Sequence, residues 1–188
     1  MTTVLRMPIR SVSSAVMDDL QKKYPDAEVQ VHVDEVSGSA GMSETRFWHL
    51  IALLDWNQEE DELIVEPLVT ALAAGPMREI YEFQDGLAAR LHALDGRIYA
   101  EQIGEDAYQP DAYFSVDIFL YARCCVVANG RTTYERVLQN PAEMPKDLTF
   151  EALLNIASAA YVRKTGKDFE YISARPVETY SNLSGWQQ

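Results

Sequence analysis

The sequence predicts an α+β fold, a mainly helical domain of about six helices preceded by a small strand–helix–strand unit. Three observations carry that expectation. From Ser43 onward apolar residues recur at helical spacing, as in Phe47, Leu50, Ile51 and Leu54. Before that point Val29, Val31 and Val33 alternate with Gln30, His32 and Asp34, the period of a strand with one wet face. Between the two lies Val36-Ser-Gly-Ser-Ala-Gly41, a flexible joint. The expected organisation is therefore residues 1–41 as an N-terminal unit with its linker, 42–168 as the helical domain, and 169–188 as a C-terminal segment.

The N-terminal unit opens with a short strand over Val4–Ile9, which Pro8 confines to an edge or an end. Ser11 to Tyr24 reads as a helix, with Val12, Ala15, Val16 and Leu20 on one side and Asp18, Asp19, Lys22 and Lys23 on the other. Pro25-Asp26 ends it before the strand at 29–33.

In the helical domain Ser43 caps the first helix. The acidic run Glu59-Glu-Asp-Glu62 precedes Leu63, Ile64, Leu68, Val69 and Leu72, and carboxylates at a helix start are favoured by its dipole. Pro67 predicts a restart or a kink there. Gly75-Pro76 separates this helix from one over about 77–94, which Asp95-Gly96 ends. A short helix near Ile98–Ile103 leads into a loop, and Asp111 is expected to cap a helix over about 112–129. That helix is apolar nearly all round, which places it in the middle of its domain. Thr132-Thr-Tyr-Glu135 has the form of a capping box opening a helix to about Leu138. Asp147 or Thr149 caps the last helix, which carries Phe150, Leu153, Ile156, Ala157 and Ala160. Phe169–Ser173 is a candidate third strand for the N-terminal unit, and Trp186 a candidate anchor.

The 188 residues hold 16 Lys+Arg against 29 Asp+Glu, a net charge of −13. Such an excess repels phosphate backbones and anionic membrane surfaces, so neither nucleic acid nor membrane is expected as a partner. No stretch reaches the roughly 18 apolar residues of a membrane span, and the N-terminus lacks the layout of a secretory signal. A reducing, cytoplasmic setting is the resulting expectation. Cys124 and Cys125 are neighbours in an apolar run and read as buried small hydrophobes, with no disulfide or zinc pattern. His32, His49 and His92 form no ligand set by spacing, and no metal or cofactor is expected.

Candidate functional residues are charges in apolar surroundings. Asp117 and Arg123 lie on the apolar helix, where a charge is costly unless paired. Six residues apart they point about 120° away from each other, so each needs a partner elsewhere. Glu79, Glu82 or Asp85 are candidates for Arg123, and Arg90 or Arg131 for Asp117. Such residues serve either as an ion pair that fixes helix packing or as the polar groups of a pocket. Arg131, with Thr132 and Thr133, stands at a helix start where an anion can bind, although the capping box accounts for the same residues.

Phe47-Trp48, Phe119-Leu-Tyr-Ala-Arg123, Ala128-Asn-Gly-Arg131 and Tyr134-Glu-Arg-Val-Leu-Gln-Asn-Pro141 together give a further signal. In these motifs residues 43–165 resemble a bacterial family known as domain of unknown function number 4240. Asp117, Phe119, Arg123, Gly130 and Arg131 match the family's pattern. Tyr121-Ala122 departs from its aromatic pair and Asn140 from its Asp. Arg97–Gly104 replaces a passage usually rich in Trp and Gly. The resemblance implies an all-helical domain and no established activity.

The sequence favours a non-catalytic interaction or regulatory module, immunity- or antitoxin-like, whose acidic surface meets a basic protein. No catalytic residue is assigned, because no nucleophile stands at a signalled elbow. The alternative is a small enzyme or ligand-binding protein with a polar pocket around Asp117, Arg123 and Arg131.

Overall fold

The apolar spacing that begins at Ser43 folds as helices in the computed structural model of the chain, which describes residues 14–24 and 41–187. The chain divides into two compact units, Met1–Ser39 and Ala40–Gln188. Of the first, the described part is helix α1 (Ser14–Lys23), whose last turn carries Lys22 and Lys23 at the carbonyl-rich end favoured by cations.

The α+β expectation is overturned: the described residues contain helices and no β-strand. The expected strands at 4–9 and 29–33 lie outside the described residues. The third, Phe169–Ser173, is irregular chain with no ladder partner. What holds it is aromatic packing, with Phe169 stacked on Tyr81 at 5.8 Å and tilted against Tyr161 at 5.1 Å between ring centres. Tyr171 packs on Tyr81 and donates its hydroxyl to Asp85 at 2.6 Å. The alternating apolar residues at 169–173 therefore bind a helix surface instead of a sheet.

The second unit runs α2 (Glu44–Ile51), α3 (Asp61–Ala74), α4 (Met77–Ala93), α5 (Arg97–Ala100), α6 (Val116–Ala128), α7 (Arg131–Gln139), α8 (Ile156–Thr165) and α9 (Leu183–Trp186). Ser43 caps α2 by accepting from the Arg46 amide at 3.2 Å. Asp61 and Glu62 sit in the first turn of α3, and the helix continues through Pro67 without a break.

Three starts differ from the sequence reading. Ser115, not Asp111, caps α6, and it accepts from the Ile118 amide. Gly130 is the N-cap of α7 at φ 88°, a conformation suited to glycine. The capping box at 132–135 does not form, because α7 already begins at Arg131 and Glu135 bonds the Arg131 side chain at 2.6 Å instead. The last helix begins as a 3₁₀ turn over Glu151–Asn155 and becomes α-helical only at Ile156.

The core forms where α3 packs on α8, and α4 on α8 and α6. Phe47 of α2 and Phe83 of α4 stack at 5.3 Å in its interior, both fully buried. The α6 helix is buried from Ala122 to Ala128, including both cysteines. Burial pushes the Cys124 thiol up to about 12, so it stays protonated and unreactive at neutral pH. Two cations fasten α8 to α3. Arg163 forks onto Glu66 at 2.6 and 2.8 Å, and Lys164 donates to the Ala73 and Gly75 carbonyls at the end of α3.

Phe83→Ala is expected to lower the unfolding free energy by about 3–5 kcal/mol, because it empties a fully buried volume against the Phe47 ring. Equilibrium urea denaturation measures it, and a loss below about 1 kcal/mol would show that this pair is not the centre of the core.

Candidate functional site

Arg123 is fully buried, and its long side chain runs from the middle of α6 to the C-terminal end of α4. There one terminal nitrogen donates to the Leu91 carbonyl at 2.9 Å and lies 4.0 Å from the Asp95 carboxylate. The other donates to the Val177 carbonyl and to the Thr179 hydroxyl, each at 3.0 Å. Thr179 passes the interaction on by donating to the Val116 carbonyl at 2.7 Å. The guanidinium lies over the Phe119 ring at 4.8 Å, and its Nε has no hydrogen-bond partner. Burial draws the guanidinium below its ordinary range, against the pull of Asp95.

Asp95 is also fully buried. One oxygen accepts from the Tyr180 amide at 3.2 Å and the Trp186 indole at 2.9 Å, and the other from the Asn182 amide at 2.8 Å and the Ser181 hydroxyl at 3.2 Å. His92, one turn earlier on α4, brings Nδ1 to 3.1 Å from the Pro176 carbonyl. A carbonyl only accepts, so this contact requires the proton on Nδ1. The C-terminal segment thus lies in a seam between the end of α4 and the first half of α6, with Arg123 and Asp95 as the polar floor.

Trp186 closes one end of the seam. Its ring packs against Tyr180 at 4.3 Å, Tyr108 at 5.5 Å and Phe119 at 5.8 Å, with Phe114 at 6.2 Å. The backbone beside it is in close contact. A Cβ added to Gly185 would lie 2.5 Å from the Asp95 carbonyl oxygen and 3.0 Å from the Gly96 Cα.

The three residues singled out in the sequence do not converge. Asp117 is exposed in the first turn of α6, and Arg131 is exposed beyond the far end of that helix, paired with Glu135. Only Arg123 is at the seam. The partners expected for it are engaged elsewhere: Glu79 with Arg46 at 2.6 Å, Glu82 with Arg78 at 3.1 Å, and Asp85 with Tyr171. Arg90, expected near Asp117, is paired with Glu44. Asp95 escaped the sequence reading because Asp-Gly after a helix has the form of an ordinary turn. Its burial depends on a segment more than eighty residues later.

The family model described as "Protein of unknown function (DUF4240)" matches residues 42–163. The chain belongs to this family. Neither the curated proteins nor the solved structures yield a match to it. The DUF4240 region contains Arg123, Asp95 and His92, whereas Pro176 to Trp186 lie beyond it.

The Phe47-Trp48 motif of this DUF4240 chain belongs to a second polar cluster. The Arg90 guanidinium stacks 3.8 Å from the centre of the Phe47 ring, and Glu44 binds both Arg90 and the Trp48 indole. Burial pushes the Glu44 carboxyl up, but the hydrogen bond and charge of Arg90 outweigh it. With Trp48 and Arg131 assisting, the group falls below its ordinary value. Tyr134 packs on Trp48 at 5.4 Å, and burial holds its phenol up at about 12. Among the described residues no three His, Cys, Asp or Glu side chains are grouped to hold a metal ion. No helix of the described residues is long and apolar enough to cross a membrane.

Arg123→Ala is expected to cost about 3–5 kcal/mol in urea unfolding, since it leaves a buried carboxylate without its counter-charge. The Tyr180 and Asn182 amides should also exchange hydrogen faster, and unchanged exchange there would contradict the link between Arg123 and the C-terminal segment.

For Glu44 the folded value is depressed below 4.5, so its stabilisation is complete above the unfolded value and is lost as pH falls through the folded one. Wild type should therefore exceed Glu44→Gln in stability at neutral pH, and the gap should close as acidification carries the solution through the lowered folded value. A gap that widened in acid would reverse the sign of this argument.

Proposed function

We propose that the helical unit is a ligand-binding protein whose site is the seam floored by Arg123 and Asp95, with the aromatic cluster of Tyr108, Phe114 and Phe119 at one end. One observation carries this reading. Two fully buried, oppositely charged side chains of the DUF4240 region take most of their polar partners from chain beyond that region. A guanidinium supplies donors and a carboxylate acceptors, so together they select a group that presents both complements about one residue apart. The aromatic wall adds an apolar, ring-shaped subsite beside a carboxylate able to accept from an indole or similar N–H.

The other reading, an acidic surface for a basic protein, has charge alone in its favour. Glu59, Glu60, Asp61 and Glu62 are exposed around the start of α3, where the helix dipole already accounts for them.

The test uses the full chain carrying Gly185→Ala, a substitution whose Cβ would meet the Asp95 carbonyl and so lift the C-terminal segment. Faster exchange of the Tyr180 and Asn182 amides reports the release. N-acetyltryptophanamide, titrated by calorimetry, should bind the variant with a dissociation constant on the order of 1 mM and wild type at least roughly 10-fold more weakly. Absence of binding to a variant that is folded and released would overturn the proposal.

A further inference from the structure

We infer that the ligand of this seam is a polypeptide segment that turns and ends in a single helical turn, and that residues 176–186 are an intramolecular copy of it which foreign segments displace. The inference rests on the reading of the seam as a ligand site and names the ligand's class.

The contacts themselves define a polypeptide. Backbone groups supply four of the bonds that hold the segment: the Pro176 carbonyl to His92, the Val177 carbonyl to Arg123, and the Tyr180 and Asn182 amides to Asp95. A small molecule does not present carbonyls and amides at that spacing, whereas a chain that turns at 178–180, as this one does, presents them in order. Side chains then add selectivity. Thr179 accepts from Arg123, Ser181 donates to Asp95, and Asn182 donates to the His92 carbonyl at 3.2 Å. Trp186 fills the aromatic end. The pattern is thus a hydroxyl residue, a Ser-Asn pair two and three positions later, and a tryptophan seven positions after the first hydroxyl. Gly185 is required before the tryptophan because the backbone there touches Asp95 and Gly96.

The segment is also joined to the body by a weak connection. Residues 172, 174, 175 and 176 are exposed and irregular, so the aromatic anchor at Phe169 and Tyr171 stays in place when the part beyond it lifts. A tethered segment competes at an effective concentration in the millimolar range, which keeps the seam closed until a tighter or more abundant partner arrives.

The experiment titrates a synthetic peptide of the sequence Pro176–Gln187 into full-length wild type and Gly185→Ala, beside N-acetyltryptophanamide. The peptide should bind Gly185→Ala at least roughly 100-fold more tightly than the amide, and bind wild type at least roughly 10-fold more weakly than it binds the variant. Peptides with the tryptophan, or the Ser-Asn pair, replaced by alanine should each lose at least roughly 10-fold. If the amide binds and the peptide binds no better, or the altered peptides bind equally well, the polypeptide inference fails while the ligand site stands. If neither probe binds the folded variant, both fail. Trp186→Ala, which empties the aromatic end without a clash, is the companion variant. Loss of the helical fold in both variants would make the segment a structural part of the body and overturn the inference.

Discussion

A guanidinium cannot shed its charge in a protein, so the fully buried side chain of Arg123 imposes a demand that the rest of this unit has to meet. The α6 helix that carries it is apolar and offers it only the face of the Phe119 ring, with no hydrogen-bond acceptor. One acceptor comes from Leu91 in the last turn of α4 and a counter-charge from Asp95 just beyond its end. The remaining acceptors have to arrive from another part of the chain, and they do so as Val177 and Thr179. Asp95, buried by the same event, needs donors in turn and takes them from the next residues of the same segment. The course of residues 176–186 over the helices follows from these two charges. Hydrophobic residues of the same volume often give an equally or more stable core, so the buried pair is not by itself a source of stability.

The second polar cluster works differently. Arg90 lies flat over Phe47, and Glu44 holds both Arg90 and Trp48, so the two aromatic residues of the motif are sandwiched between core and charge. The most recognisable motif of the DUF4240 region is therefore explained by packing. Its partners all come from the same region, where those of Arg123 do not. That contrast separates an ion pair that ties helices together from one that is completed by an added segment.

Helices α2, α3 and α4 were legible because each buries apolar residues that recur at a spacing no strand shares, whereas α9, with no buried residue, left no such signal. The apolar α6 was legible as an interior helix because it has almost no polar face. Starts were less so. Asp111, Thr132 and Asp147 are good capping residues by type, yet Ser115 and Gly130 do the capping, because tertiary packing decides which turn is the first. The strand expected at Phe169–Ser173 failed because its aromatic residues meet the rings of Tyr81 and Tyr161, a partner with no local trace in the sequence. Arg123 could be singled out as a polar residue in apolar surroundings. Asp95 could not, since its burial is a product of contacts with Tyr180 and Asn182 that have no local trace.

The clasp between α3 and α8 has a consequence for how the chain folds. Arg163 and Glu66 are separated by 97 residues, and the two helices they join form one wall of the core. Helical proteins fold fast when their contacts are local, but this wall closes only after nearly the whole second unit has been ordered into reach. During synthesis α2 and α4 can cover part of α3, but the part that α8 covers stays open until α8 has emerged. The entropy of closing so long a loop grows only slowly with its length, so the delay is one of time more than of stability. In that interval α3, with its face of Ile64, Leu68 and Leu72, is the part of the molecule that most needs protection from other chains.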